Sequence, residues 1–417
     1  VQRKRLSIKA NLFFNSFGSL FYLACQWLIT VLVVRLGSFE AGGLLTNCIS
    51  ITNVLFTIST FGIRTYQVSD IGEKYTSTHY VTTRLITGLF AMVITLAFVL
   101  TMGSASIEQK VCVVLYMLFR LTEALSDVLQ GVVQKADRMD YIGKGMVMRG
   151  VMTLGFFVLV MVTVKSLPLA ILAMALGAYI VIFFYEWRKA ESEAPFIVRP
   201  DFLKTYALLK TCWPLMLTSF FANAIVSIPR YLLGEMLGEK MLGFYGAIAI
   251  PTVIVQTGSL LIFAPMVTAF SRAYINREGA LYRKYFIRTF GSLCALVVLM
   301  IALAVPFGAP VLQLLFTEAI LPYASLLTPV LLVAALIAIN LFLTEMLTIS
   351  RRLKLIMFSN LLSAMLSFVL SRFLIAADGM NGVNITLYIS LGAGIAVKAI
   401  SLAWDAVGHF KREAAYD

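Results

Sequence analysis

The chain has 417 residues, 60% apolar and 13% charged, with 34 Lys+Arg against 21 Asp+Glu for a net charge of +13. Soluble domains carry about 25% charged and about 45–50% apolar residues, so this balance describes a polytopic membrane protein and excludes cytosolic enzymes and secreted modules. The basic residues lie in short clusters between apolar runs, a topological pattern, and nucleic acid is not an expected partner.

A helix needs about 20 mostly apolar residues to cross the hydrocarbon core. The basic head Arg3-Lys4-Arg5 precedes an apolar run over 10–36. That run is too long for the core of a cleaved leader, so it reads as the first span. Further spans are predicted at 41–63, 81–102, 110–133, 142–164, 167–186, 205–232, 240–270, 286–307, 321–349, 354–376 and 383–408, twelve in all. An even count puts both termini on one side. The termini and alternate loops hold 26 Lys+Arg, the opposite side holds 6, and Arg120 and Lys398 lie inside spans. The positive-inside rule then predicts cytoplasmic termini.

The longest hydrophilic stretch, with Glu191, Ser192, Glu193, Pro195 and Pro200, sits at the centre of the chain and reads as a linker. It predicts an N-terminal six-helix bundle over 1–187, a cytoplasmic linker over 188–204 and a C-terminal six-helix bundle over 205–417. An internal repeat supports the division. Leu36-Gly37 with Gly42 recurs as Leu237-Gly238 with Gly243, an offset of 201. The same offset aligns Gly18 with Ser219, Tyr22 with Asn223 and Gln26 with Ser227. The fold class is therefore an all-α membrane protein of about twelve helices, in two bundles related by a pseudo-two-fold axis along the membrane normal, as transporters commonly are.

Polar rows inside apolar helices mark either helix contacts or a watery path. Span 1 carries Asn11, Asn15, Ser19, Tyr22 and Gln26 at spacings of three and four. Span 7 carries Ser219, Asn223, Ser227 and Arg230, and span 11 carries Asn360, Ser363, Ser367 and Ser371. Span 4 is the most polar: Tyr116, Arg120, Glu123, Asp127, Gln130 and Gln134 share one face. A charge at mid-span costs about 2.5–3.5 kcal/mol, so Arg120 and Glu123 either pair within the helix or serve a substrate or ion path. Lys398 lies inside span 12, while Arg64 and Arg230 stand at span ends, where they snorkel or line a lumen. The lumen candidates are thus Tyr22, Gln26, Arg64, Arg120, Glu123, Asp127, Asn223, Arg230 and Lys398. Glu123 and Asp127 are the candidates for a coupling proton or sodium ion. Five cysteines inside apolar runs and two histidines give no metal-ligand spacing, and no cofactor is expected. All eleven prolines follow residue 167, and those in spans 7 and 8 mark helices expected to kink or bend.

Arg35-Leu36-Gly37-Ser38-Phe39-Glu40-Ala41-Gly42 and the span ending Phe61-Gly62-Ile63-Arg64 resemble the opening of the Wzx-like polysaccharide biosynthesis flippases. That family belongs to the multidrug/oligosaccharidyl-lipid/polysaccharide exporter superfamily. The stretch Leu208 to Tyr274 is similar too, with Trp213-Pro214-Leu215, Ser227-Ile228-Pro229-Arg230 and Gly243-Phe244-Tyr245. Pro229 departs from the acidic residue the family often has there. The resemblance implies a V-shaped pair of bundles in the bacterial cytoplasmic membrane. It also implies transfer of a polyprenyl-diphosphate-linked oligosaccharide for capsule or O-antigen, beside a polysaccharide polymerase and glycosyltransferases. A cationic lumen would fit Arg120, Lys398, Arg64 and Arg230.

An ion-coupled drug or small-solute antiporter of the same superfamily is the alternative; it would need intramembrane acids beyond span 4. A major-facilitator transporter would carry a Gly-x3-Asp-Arg-x-Gly-Arg-like loop after span 2, and Val68 to Lys74 does not match it. A membrane enzyme would need carboxylates or histidines gathered on a surface loop, whereas the outward acids are scattered singly.

Overall fold

A computed structural model describes residues 8–70, 72, 74–103 and 105–411. The basic head Arg3-Lys4-Arg5 and Arg412 of the tail lie outside the described residues. Among those residues every regular element is helical.

The chain forms α1 (Ile8–Leu36), α2 (Phe39–Thr60), α3 (Ile63–Ser69), α4 (Ser77–Thr101), α5 (Ile107–Lys135), α6 (Met139–Thr163), α7 (Leu167–Val181) and α8 (Trp187–Glu193). A π-helical turn, Ile182–Glu186, joins the last two. Then come α9 (Phe202–Leu237), α10 (Glu239–Ile248), α11 (Pro251–Phe263), α12 (Val267–Ile275), α13 (Gly279–Leu315), α14 (Leu327–Ile349), α15 (Leu353–Asp378) and α16 (Met380–Lys411). Ten helices are long and apolar enough to span a membrane, and α10 with α11, bent by 41°, makes an eleventh. The remaining predicted span is α5, which has 29 residues but too many polar ones to qualify on composition. Its surroundings explain that. It packs against α2, α3, α4, α6, α7 and α8, so its polar face meets protein rather than lipid.

Two compact units result, residues 1–220 and 221–417, with the boundary inside α9. In unit 1, α1 lies along α6, α6 along α7, and α5 runs through the middle. Gly18 and Gly143 make the first of these contacts possible: a Cβ on either would run into backbone of the other helix, at Gly143 or Phe14. In unit 2, α14 packs on α11, α13 and α16, and α15 runs along α16. Aromatic residues, among them Phe263, Phe270, Tyr282 and Phe342, fill the core between α11, α12, α13 and α14.

The helix ends follow from local chemistry. The Ser38 hydroxyl accepts from the Ala41 amide at 3.1 Å to cap α2, and the Ser106 hydroxyl caps α5 through Gln109 at 3.1 Å. α2 stops where Phe61 and Gly62 both take left-handed backbone, and the chain turns into α3. The repeated Leu-Gly pairs both fall at breaks, between α1 and α2 and between α9 and α10, where Gly238 has φ 86°. Pro251 opens α11 at the bend, whereas Pro306 and Pro310 sit inside α13.

Candidate functional site

Unit 1 gathers Tyr22, Gln26, Arg64, Arg120, Glu123 and Asp127 around α5. The carboxylate of Asp127 takes two guanidiniums. Arg84 Nη2 approaches Oδ2 at 2.7 Å, and Arg64 Nη1 approaches Oδ1 at 3.3 Å. Arg64 also donates to Gln130 Oε1 at 3.0 Å and Gln134 Oε1 at 3.1 Å, so three residues of the polar row on α5 serve one arginine. Arg84 donates its other nitrogen to the Ser59 carbonyl at 2.8 Å.

One turn earlier on α5, Arg120 pairs with Glu123 Oε2 and lies over the Phe56 ring, 3.9 Å from its centroid. The Tyr22 hydroxyl donates to Glu123 Oε1 at 2.7 Å and accepts from Arg149 Nη2 at 3.1 Å. Arg149 stands between two carboxylates, 4.0 Å from Glu123 and 3.9 Å from Glu186. Both oxygens of Glu186 are buried with no hydrogen-bond donor, so Arg149 is their electrostatic partner. Glu186 reaches the bundle from the π-helical turn, whose extra residue swings the side chain inward against Gly145. Gln26 donates to Thr153 at 3.3 Å. The network around α5 therefore holds four guanidiniums (Arg64, Arg84, Arg120, Arg149) and three carboxylates (Glu123, Asp127, Glu186), while the buried Asp140 pairs apart from it with Arg138.

Arg84, Arg149 and Glu186 are absent from the sequence-based candidates. The topological count placed both arginines with the cytoplasmic clusters, and Glu186 closed the sixth run. A signal was present, since residues 84 and 149 fall inside apolar runs and the polar row of α5 offered two acids to the single arginine Arg120.

The other three candidates belong to unit 2. Lys398 is 0% exposed, and its ammonium donates to Asn340 Oδ1 at 2.7 Å, Asn360 Oδ1 at 2.8 Å and Thr344 Oγ1 at 2.9 Å. Three helices thus meet at one nitrogen. Arg230 is half-buried on α9, its Nε enclosed without a hydrogen-bond partner. It lies near Tyr245, whose hydroxyl pairs with Asn384 at 2.9 Å. Asn223 is half-buried two turns earlier on α9. Outside the spans, Arg352 grips Asp405 Oδ1 with two nitrogens at 2.8 and 3.2 Å, and that hydrogen-bonded pairing raises its already basic guanidinium.

The arrangement is a network of arginines and carboxylates paired with one another across α5. Solved structures share the fold. An inward-facing multidrug-resistance MATE transporter of the MOP superfamily superposes with a TM-score of 0.72 at 13% identity, covering 95% of this chain and 96% of that one. An outward-facing MATE transporter gives 0.63 at 14%, covering 96% and 95%. A MOP superfamily transporter from Pyrococcus furiosus gives 0.60 at 13%, covering 95% and 94%. In sequence, the capsular polysaccharide biosynthesis protein CapF of Staphylococcus aureus is 22% identical over 302 residues, 70% of this chain and 73% of its own length. A sequence model of the polysaccharide biosynthesis protein family matches residues 8–273. The chain belongs to that family, as a multi-pass membrane protein with the fold that those MOP superfamily transporters share.

Proposed function

We propose that the protein moves a polyprenyl-diphosphate-linked oligosaccharide repeat unit across the bacterial cytoplasmic membrane, for a surface polysaccharide of capsule or O-antigen type. Both termini face the cytoplasm. The observation that carries this reading is the cluster of four guanidiniums around α5, one more than the carboxylates they pair with. Diphosphate is a compact dianion or more, and the planar guanidinium matches phosphate oxygens two at a time. Arg84, Arg120 and Arg149 each keep a buried Nε that no protein group accepts, as does Arg230 in unit 2. The sugar-diphosphate head travels through polar interior, the prenyl tail stays in lipid, and alternating access exposes the head on the outer side. The glycosyltransferases that build the repeat unit and the polymerase that consumes it are the expected neighbours.

A drug antiporter is the second reading, favoured by the multidrug-resistance MATE transporters among the fold relatives. Organic cations need acids to meet, and each of Glu123, Asp127 and Glu186 already faces an arginine. The flippase reading fits better.

Deleting the gene and analysing extracted lipids by mass spectrometry tests it. Accumulation of a complete polyprenyl-diphosphate repeat unit, reversed by wild type but not by well-expressed Arg120→Ala, is the expected result. An intact surface glycan with no accumulated intermediate, in a strain lacking any second flippase, would overturn it.

A further inference from the structure

Lys398 is the most completely buried cation of unit 2, and its surroundings are unusual in what they omit. The three ammonium protons point at Asn340, Asn360 and Thr344, two amide oxygens and a hydroxyl, from α14 and α15. No carboxylate within ion-pair range balances the charge among the described residues. The ionisable side chains of the packed elements are Glu345 on α14, Lys354, Arg372 and Asp378 on α15, and Glu239, Lys240 and Tyr245 on α10. None of them pairs with Lys398, whose ammonium is held by Asn340, Thr344 and Asn360. On α16 itself, Tyr388 donates to the Pro329 carbonyl, Asp405 holds Arg352 and Tyr274, and His409 stacks on Tyr274. Glu123, Asp127 and Glu186 of unit 1 are in the opposite condition, each facing a guanidinium.

An unbalanced ammonium within a bundle is costly to keep. A neutral side chain would bridge the same three helices without that cost, so helix adhesion alone does not account for a lysine. We propose that Lys398 is a proton-exchange site, the residue through which a proton gradient acts on unit 2.

The chemistry balances simply. The ammonium gives one proton to water and becomes an amine with two N–H donors and a lone pair. One of the three oxygens then loses its donor. The lone pair can be met only if the Thr344 hydroxyl leaves the Asn340 carbonyl, which it now holds at 2.7 Å. Either way the junction of α14, α15 and α16 loosens, and uptake of a proton restores it.

The link to transport rests on the flippase reading above; the protonation chemistry does not. The test is a difference titration of the purified, reconstituted protein against Lys398→Arg and against Asn360→Asp. Arginine stays charged, and the new aspartate supplies the missing counter-charge. Between about pH 6 and about pH 9 an ordinary lysine keeps its proton. Wild type is expected to release about one proton more than either variant over that interval. Protection of the amides of α14, α15 and α16, taken relative to their intrinsic exchange at each pH, should fall several-fold over the same interval in wild type only. Coincident titration curves would overturn the assignment, as would extra release persisting in Lys398→Arg. Because Asn360→Asp supplies the bundle with an ion pair, a purely structural lysine predicts no loss of any response there. Failure of wild type to flip a fluorescent polyprenyl diphosphate, with the proton still released, would remove the substrate reading and leave this one standing.

Discussion

Arg84 Nη2 stands 2.7 Å from Asp127 Oδ2, with Arg84 only 1% exposed. Asp127 also holds Arg64, so one carboxylate neutralises part of two guanidiniums drawn from α3 and α4 onto α5. A charge so far from water persists only because its partner does.

Asp127→Ala is therefore expected to leave two unbalanced cations and cost about 3–5 kcal/mol of stability. The check is the thermal unfolding midpoint in detergent. Arg84→Met combined with Asp127→Leu should recover part of the loss, since it removes the fully buried cation and leaves only the partly exposed Arg64, still held by Gln130 and Gln134. An unchanged midpoint in Asp127→Ala would mean that the pair contributes nothing.

Tyr22 links the other half of the network, donating to Glu123 at 2.7 Å and accepting from Arg149 at 3.1 Å. Tyr22→Phe removes both bonds while keeping the ring on which Arg149 rests, 4.8 Å from its centroid. The expected loss is about 1–3 kcal/mol, the cost of stranding buried charged partners. A double-mutant cycle with Arg149→Lys would show coupling between the two positions; additive effects would sever the proposed link.

The spans and the polar row on α5 were legible because both are periodic signals, apolar length for the one and i, i+3, i+4 spacing for the other. What sequence could not supply was the partner of each charge. Arg84 and Arg149 sit near the ends of apolar runs, where a count of positive charges treats a snorkelling arginine and a buried one alike. Their acids lie 43 and 26 positions away on α5, separations that carry no periodic trace. Glu186 was hidden by a different cause. A π-helical turn changes the helical phase by one residue, and the face a side chain takes past that point no longer follows from spacing. Lys398 was placed in span 12 correctly, but its three acceptors come from α14 and α15, and only the tertiary fold brings them together.

Asp70, outside the spans, gives a pH dependence of known sign. Burial pushes its carboxyl up, but the Tyr80 hydroxyl at 2.7 Å, the amides of Tyr75 and Lys74, each at 3.1 Å, and the charge of Lys135 outweigh burial. The net effect holds it below the usual carboxylate range. A group depressed on folding contributes fully above its unfolded value, about 3.9, and the contribution is lost as pH falls through the folded value. The turn before α4 should therefore loosen as the medium is acidified below about pH 4, and Asp70→Asn should already be loose at neutral pH. Amide exchange across that turn, compared between the two proteins, reads both effects; equal exchange at neutral pH would discount the carboxylate.

Gly143 faces the Phe14 carbonyl so closely that a methyl group has no room. Gly143→Ala is expected to push α1 off α6 and destabilise unit 1 by about 1–3 kcal/mol, the cost of overpacking. Gly155→Ala, on the same helix with open space around it, is the control and should gain slightly from helix propensity. Equal midpoints for the two variants would show that α1 yields without cost.

Glu123 was a candidate for the coupling ion, yet its carboxylate is occupied. Arg120 pairs with Oε2, Tyr22 donates to Oε1, and Arg149 stands 4.0 Å away. A proton or sodium ion arriving there has to displace a guanidinium from a site with no second acid to receive it, because Glu186 is already opposite Arg149 at 3.9 Å. Glu123→Gln should consequently lower the thermal midpoint, by stranding Arg120, while leaving the response of flipping to a pH gradient in place. Proteoliposomes carrying a fluorescent polyprenyl diphosphate, assayed with and without the gradient, separate the two effects. If the variant keeps its midpoint and loses the gradient response, Glu123 binds the coupling ion after all, and Arg120 is the group that moves to admit it.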